Sequence, residues 1–227
     1  MYYKFQIMIK KSALFIYPYI ILLAICVFVL FNFSKSEIHL WSNSHNSVLM
    51  DYFFSIITYL GNGLFIITFI IIVSFYRIGY SFLIFSTYAI SGIMVQVLKR
   101  LFFTNIPRPT LFFQHIHNLH LVKGVDMLTN YSFPSGHAAT TFAFFLSLSL
   151  ITRYKLLRVL FLILACLVAY SRVYLSQHFL IDIVSGSVIG VCITMIFYYY
   201  YQKIKKDWIH DSLWKIMFRR KLKTFFS

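Results

Sequence analysis

Ser171-Arg172-Val173-Tyr174-Leu175-Ser176-Gln177-His178-Phe179-Leu180-Ile181-Asp182 lies between two apolar runs, 156–173 and 179–201. A spanning helix needs about 20 mostly apolar residues, so the stretch joins two bilayer helices at one membrane edge. It puts a hydroxyl, a guanidinium, an imidazole and a carboxylate on or near one short helical segment. Ionisable groups at a bilayer edge are costly, and their presence there marks function. His178 and Asp182 stand at i and i+4, which places them on one helix face within hydrogen-bonding reach. An imidazole oriented by a carboxylate makes a nucleophile or a base.

Four further apolar runs precede these two: 12–33, 52–75, 80–101 and 136–152. With 60% hydrophobic and 12% charged residues, the 227-residue chain belongs to the membrane class, not the soluble one. The expected fold is all-α, an integral membrane bundle of six transmembrane helices. Residues 1–201 form that bundle and 202–227 a basic, aromatic tail. The basic N-terminus and the first run resemble a signal peptide, whose apolar core spans only about 7–15 residues. This run is longer and ends without a small-residue cleavage site, so an uncleaved spanning helix is expected.

The net charge of +15 raises nucleic-acid binding as a function, but the positions of the charges exclude it. The basic residues fall in short segments between apolar runs and in the tail. With a cytoplasmic N-terminus, the inside segments hold 15 of the 21 Lys and Arg. That bias follows the positive-inside rule and predicts both termini in the cytoplasm. Two outside segments then stand out. Residues 34–51, with His39, Trp41 and His45, suit a short helix on the membrane surface. Residues 102–134 carry Pro107, Pro109, Gly124 and Asn130 as breakers and the trio His115, His117 and His120. The trio lacks a usual zinc spacing and a nearby cysteine or carboxylate, so a substrate-facing or solvated loop is expected. Lys123 and Asp126 either contact a headgroup or are solvated. The tail, with Trp208, Trp214, Phe218, Phe225 and Phe226 among its lysines and arginines, reads as a surface helix on anionic lipid or as a topology signal alone. Cys26, Cys166 and Cys192 show no pairing pattern.

Three polar patches fall at the same predicted membrane face. They are Lys99-Arg100 with Arg108-Pro109, then Pro134-Ser135-Gly136-His137, then the Ser171–Asp182 stretch. Lys99, Arg108 and Arg172 form a cationic set suited to phosphate oxygens. Ser135 and Gly136 open a helix whose free N–H groups and dipole favour an anion. His178, oriented by Asp182, is the candidate nucleophile and His137 the candidate general acid. This chemistry calls for no metal and no cofactor.

The patches resemble the signature of the type 2 phosphatidic acid phosphatase superfamily: Lys, six residues, Arg-Pro; Pro-Ser-Gly-His; Ser-Arg, five residues, His, three residues, Asp. The second and third elements match in full. The first is stretched, with eight residues between Lys99 and Arg108, or seven if Arg100 takes the lysine role. The resemblance covers Lys99 to Asp182. It implies a six-helix bundle, a phosphohistidine at His178, no metal, and an outward-facing site. Similarity to bacterial members implies an inner-membrane lipid phosphatase with a periplasmic site. The implied substrates are undecaprenyl diphosphate, phosphatidylglycerol phosphate, phosphatidic acid or a phosphate on lipid A. Transfer of the phosphate to a lipid or sugar hydroxyl, and lipid-phosphate binding or transport without turnover, stay open as alternatives. Oligomeric state is not legible in the residues.

Overall fold

The shortest long helix stands at the centre. In the computed structural model, which describes residues 2–217, helix α7 (Gly136–Ile151) packs against four neighbours: α1 (Tyr2–Asn32), α5 (Ile78–Leu101), α8 (Lys155–Tyr174) and α9 (Leu180–Tyr201). The order along the chain is α1, α2 (Lys35–Ser44), α3 (Val48–Ile57), α4 (Gly63–Tyr76), α5, α6 (Pro109–Phe112), α7, α8 and α9. No strand occurs among the described residues. Phe218, Phe225 and Phe226 of the tail lie outside them.

Small residues explain why α7 is central. Between helices in lipid there is little hydrophobic driving force, so close backbone packing and hydrogen bonds hold them. Gly186 and Gly190 of α9 lie directly on the backbone of α7. A Cβ at either would collide with the carbonyl oxygen of Ser135 or Ala139. Thr87 of α5 and Ser147 of α7 share a buried hydroxyl contact of 2.9 Å, a bond of about 0.6 kcal/mol inside a membrane. Tyr19 of α1 meets Ser187 of α9 at 3.1 Å. The outer helices present apolar side chains instead, with Phe28 66% and Phe31 86% exposed on α1. Such a surface belongs against lipid.

Of the six apolar runs, 12–33, 80–101, 156–173 and 179–201 correspond to helices long and apolar enough to cross a membrane. The run 52–75 is not one helix. It breaks at a 3₁₀ turn, Thr58–Gly61, and its halves α3 and α4 meet at 50°. The cause is legible in Gly61-Asn62-Gly63, two helix-weakening glycines around an asparagine that caps α4 by accepting from Leu64 N at 3.0 Å. Taken as one span, the bent pair is a fifth. Run 136–152 gives α7, which at 16 residues is about 24 Å long.

The segment 34–51 forms a short helix, α2, with a capping box at Ser34 and Glu37. It lies against the bundle as much as against lipid. His39 is buried, Ser42 meets Tyr170 at 2.9 Å, and Asn43 exchanges hydrogen bonds with the backbone of His120. Trp41 stays exposed. At the opposite end of the bundle the tail folds onto the start of α5. Ile209 is buried on Gly79, and Ile78 N donates to Asp211 O at 2.9 Å.

Candidate active site

Three chain segments converge at the end of the bundle where α7 and α9 begin. The link between α8 and α9 is short and tightly turned. Gln177 N and His178 N both donate to Arg172 O, at 2.9 and 3.0 Å, and Ser176 takes a left-handed φ of 54°. That conformation is uncommon for a residue with a Cβ and persists where surroundings enforce it. Here His39 Nε2 and Asn43 Nδ2 reach the Ser176 hydroxyl at 3.2 and 3.4 Å. The turn aims His178 inward, where it is 2% exposed.

The partners of His178 fix its tautomer. Nδ1 faces Asp182 Oδ2 at 3.3 Å, and a carboxylate only accepts. Nε2 faces Arg108 Nη1 at 3.4 Å, and a guanidinium only donates. The proton therefore sits on Nδ1 and the lone pair on Nε2. Burial, with Arg108 and Lys99 nearby, depresses the imidazole pKa against the pull of Asp182. Neutral His178 is the form a nucleophile needs. Asp182 Oδ2 also accepts from Phe179 N at 2.9 Å and Ser132 Oγ at 2.5 Å, so the carboxylate is itself held in place.

Two arginines line the cavity with the imidazole, and Arg108 is the one in contact with it. Arg108 caps α6 ahead of Pro109 and is buried, its Nε donating to Asn130 O at 2.9 Å and its Nη1 to Gln177 O at 3.0 Å. Arg172 donates to Thr58 Oγ1 at 3.1 Å and to Gln177 Oε1 at 2.9 Å. His137 in the first turn of α7 directs Nε2 to Thr58 O at 3.0 Å. A carbonyl only accepts, so Nε2 carries its proton and Nδ1 is the basic nitrogen.

Lys99, Arg100, Arg108, Gly136, His137, Arg172 and His178 line one cavity of about 800 Å³. The two basic residues ending α5 part company: Lys99 is buried, whereas Arg100 is exposed at the rim. Asp182 stands behind His178. Ser135 is turned elsewhere: its hydroxyl caps α7 at Ala138 N, 3.3 Å, and its N–H donates to Asp182 O at 2.9 Å. It locks the start of α7 to the start of α9. The 115–120 loop does not approach this cavity's wall. His120 pairs with Asp51 at 2.9 Å.

Thr58, Gln177 and Ser132 are site residues that motif reading passes over. Gln177 ties both arginines together and donates to Asp126 O. Its signal was available as the polar residue just before His178. The signal for Thr58 was the Gly61-Asn62-Gly63 break within an apolar run. Ser132 has no local signal.

A phosphate-sized anion beside three cations, a helix N-terminus and a neutral imidazole is the arrangement this cavity can serve. The PAP2 superfamily model matches residues 79–206, more than half of the chain and every site residue from Lys99 to Asp182. The chain belongs to the PAP2 superfamily. Undecaprenyl-diphosphatase of Sulfolobus acidocaldarius is 40% identical over 68 residues, 30% of this chain and 32% of that protein. The match thus spans about a third of that relative's length. The crystal structure of Aquifex aeolicus LpxE superposes with a TM-score of 0.65 at 26% identity, over 74% of this chain and 96% of LpxE. A transmembrane PAP2-type phosphatidylglycerolphosphate phosphatase from Bacillus subtilis gives a TM-score of 0.62 over 88% and 99%. At 20% identity the latter shows a common fold alone.

Proposed function

We propose that the protein is an integral membrane lipid phosphatase acting through a phosphohistidine. The observation that carries this is His178, with its proton turned to Asp182 and its Nε2 lone pair turned into the cationic cavity. The substrate phosphoryl group lies among Lys99, Arg108, Arg172 and the first turn of α7. Nε2 attacks phosphorus and the bond to the lipid oxygen breaks; His137, entering the cycle with a second proton on Nδ1 while Nε2–H stays on the Thr58 carbonyl, gives that Nδ1 proton to the leaving oxygen. Water then attacks the phosphohistidine, gives a proton to His137, and releases phosphate. The cations stabilise charge on the equatorial oxygens, so no metal or cofactor is required.

Six spans, with α7 and the bent α3–α4 pair each counted once, leave both termini cytoplasmic and the site on the periplasmic or external face of the inner membrane. The substrate is a phosphate monoester or pyrophosphate on a lipid: undecaprenyl diphosphate, phosphatidylglycerol phosphate, phosphatidic acid or a lipid A phosphate. The named relatives act on two of these classes, as their names state. The test is phosphate release by purified protein in detergent with EDTA, across those four lipids. Turnover of at least one is expected. Folded protein that releases phosphate from none of them sinks the proposal, and activity abolished by EDTA sinks its metal independence.

A further inference from the structure

Two cavities meet at the site among the described residues. The first, of about 800 Å³, runs from His178 along α5 past Gln96, Gly92 and Tyr88. Its rim includes Ile93, Val97 and Leu101, exposed apolar side chains that face lipid in a membrane chain. The second, of about 480 Å³, lies between the α3–α4 break and the 123–128 loop. Its rim carries Lys123, Gly124 and Asp126, all exposed. His137 and Arg172 line both cavities.

The partition between them is one layer of side chains. Arg172 bonds Thr58 and Gln177, both on the second cavity, and His137 bonds the Thr58 carbonyl. Gly61 packs on His137 so closely that a Cβ would collide with its Nε2. Arg172 Nε is buried without a hydrogen-bond partner, a spare donor on the one guanidinium that both cavities share.

We propose that the second cavity is a water-side compartment that admits the hydrolytic water and discharges inorganic phosphate, while lipid comes and goes through the first. This rests on the phosphatase reading above. After the first half-reaction the dephosphorylated lipid occupies the apolar side. A phosphate dianion leaving that way would lose its hydration at an apolar rim. The second cavity, at about 480 Å³, has room for about sixteen waters at liquid density. In the second half-reaction the P–N bond to His178 breaks, a P–O bond to water forms, and one water proton passes to His137. The phosphate then passes from Arg172 to the rim. There Lys123 draws it outward and the Asp126 carboxylate keeps it from being retained.

Plugging the second cavity tests this in the full-length protein, on a lipid phosphate the wild type turns over. Ser55 and Val125 both line it, and neither is a residue of the reacting set, so Ser55→Trp and Val125→Trp each narrow it while leaving His137, Arg172 and His178 unsubstituted. In rapid-quench experiments, the first equivalent of dephosphorylated lipid should form at the wild-type rate. Steady-state turnover should fall about tenfold, because release becomes limiting. Lys123→Glu should raise the inhibition constant of inorganic phosphate about threefold and leave KM for lipid unchanged. Unchanged turnover in both Trp variants overturns the compartment, as does a first equivalent slowed as much as turnover. Wild-type protein that turns over no lipid phosphate overturns the phosphatase reading instead.

Discussion

Each end of the bundle sets an arginine against a histidine. At one end Arg108 Nη1 stands 3.4 Å from His178 Nε2, and at the other Arg77 Nη2 stands 2.5 Å from His210 Nδ1. The pair alone therefore does not make a reactive centre. His178 is buried and gripped from behind by Asp182, itself held by Ser132 and Phe179. His210 is exposed, and the other bonds of Arg77 go to Ile209 O and the Tyr80 hydroxyl. Those bonds fasten the tail to α5. In the function proposed above, burial and an anchored carboxylate turn the same two side chains from a clamp into a nucleophile with its phosphate ligand.

The contrast is open to measurement. His178→Ala should lower kcat by about 10³-fold or more, and Asp182→Asn by roughly as much, since the amide no longer fixes the tautomer. Near-normal turnover in the alanine variant would remove the nucleophile from this end altogether. Gln177→Ala should cost roughly 10–100-fold in kcat by freeing both arginines, with a smaller change in thermal midpoint. A loss of stability without a loss of kcat would reduce Gln177 to packing.

Acid titration sharpens the comparison through His39, which holds the α8–α9 turn at Ser176. Burial pushes its pKa down to about 4. An unfolded histidine titrates near 6.5, so between these values acid charges only the unfolded chain. Stability is then whole above about pH 6.5 and declines as pH falls toward 4, by about 2 kcal/mol at pH 5. The thermal midpoint of His39→Leu should be flatter between pH 7 and 5 than that of the wild type. Equal slopes would show that His39 is not the group responsible. Arg77→Ala should have the smallest catalytic effect, with kcat within about twofold and a stability loss of about 1–2 kcal/mol. A kcat loss matching that of Gln177→Ala would erase the distinction between the ends.

Local chemistry was legible in the residues. Arg108, Gly136, His137, Arg172 and His178 line one cavity because their motifs sit at helix ends that share a face, with Asp182 at hydrogen-bonding distance from His178. The stretched spacing after Lys99 is absorbed in the link 102–107, which lies past the end of α5 and leaves the lysine on its helix. What depends on distant partners was not legible. Thr58 meets Arg172 across 114 positions of sequence, and Ser132 meets Asp182 across 50. The break in run 52–75 was visible as Gly61-Asn62-Gly63, but apolar length outweighed it. The central place of α7 follows from Gly186 and Gly190 on another helix, which no reading of 136–152 alone supplies.

Those two glycines have a consequence for work in real membranes. Bilayers differ in thickness by several ångströms, and spanning helices respond by tilting. Lipid-facing helices such as α1 are free to answer such changes. The gap between His137 and His178 is insulated from them, because α7 and α9 touch backbone to backbone and Ser135 N is bonded to Asp182 O. In the proposed mechanism that gap is the reacting distance, a dimension cut into a single block while the outer walls adjust to whichever lipid surrounds them.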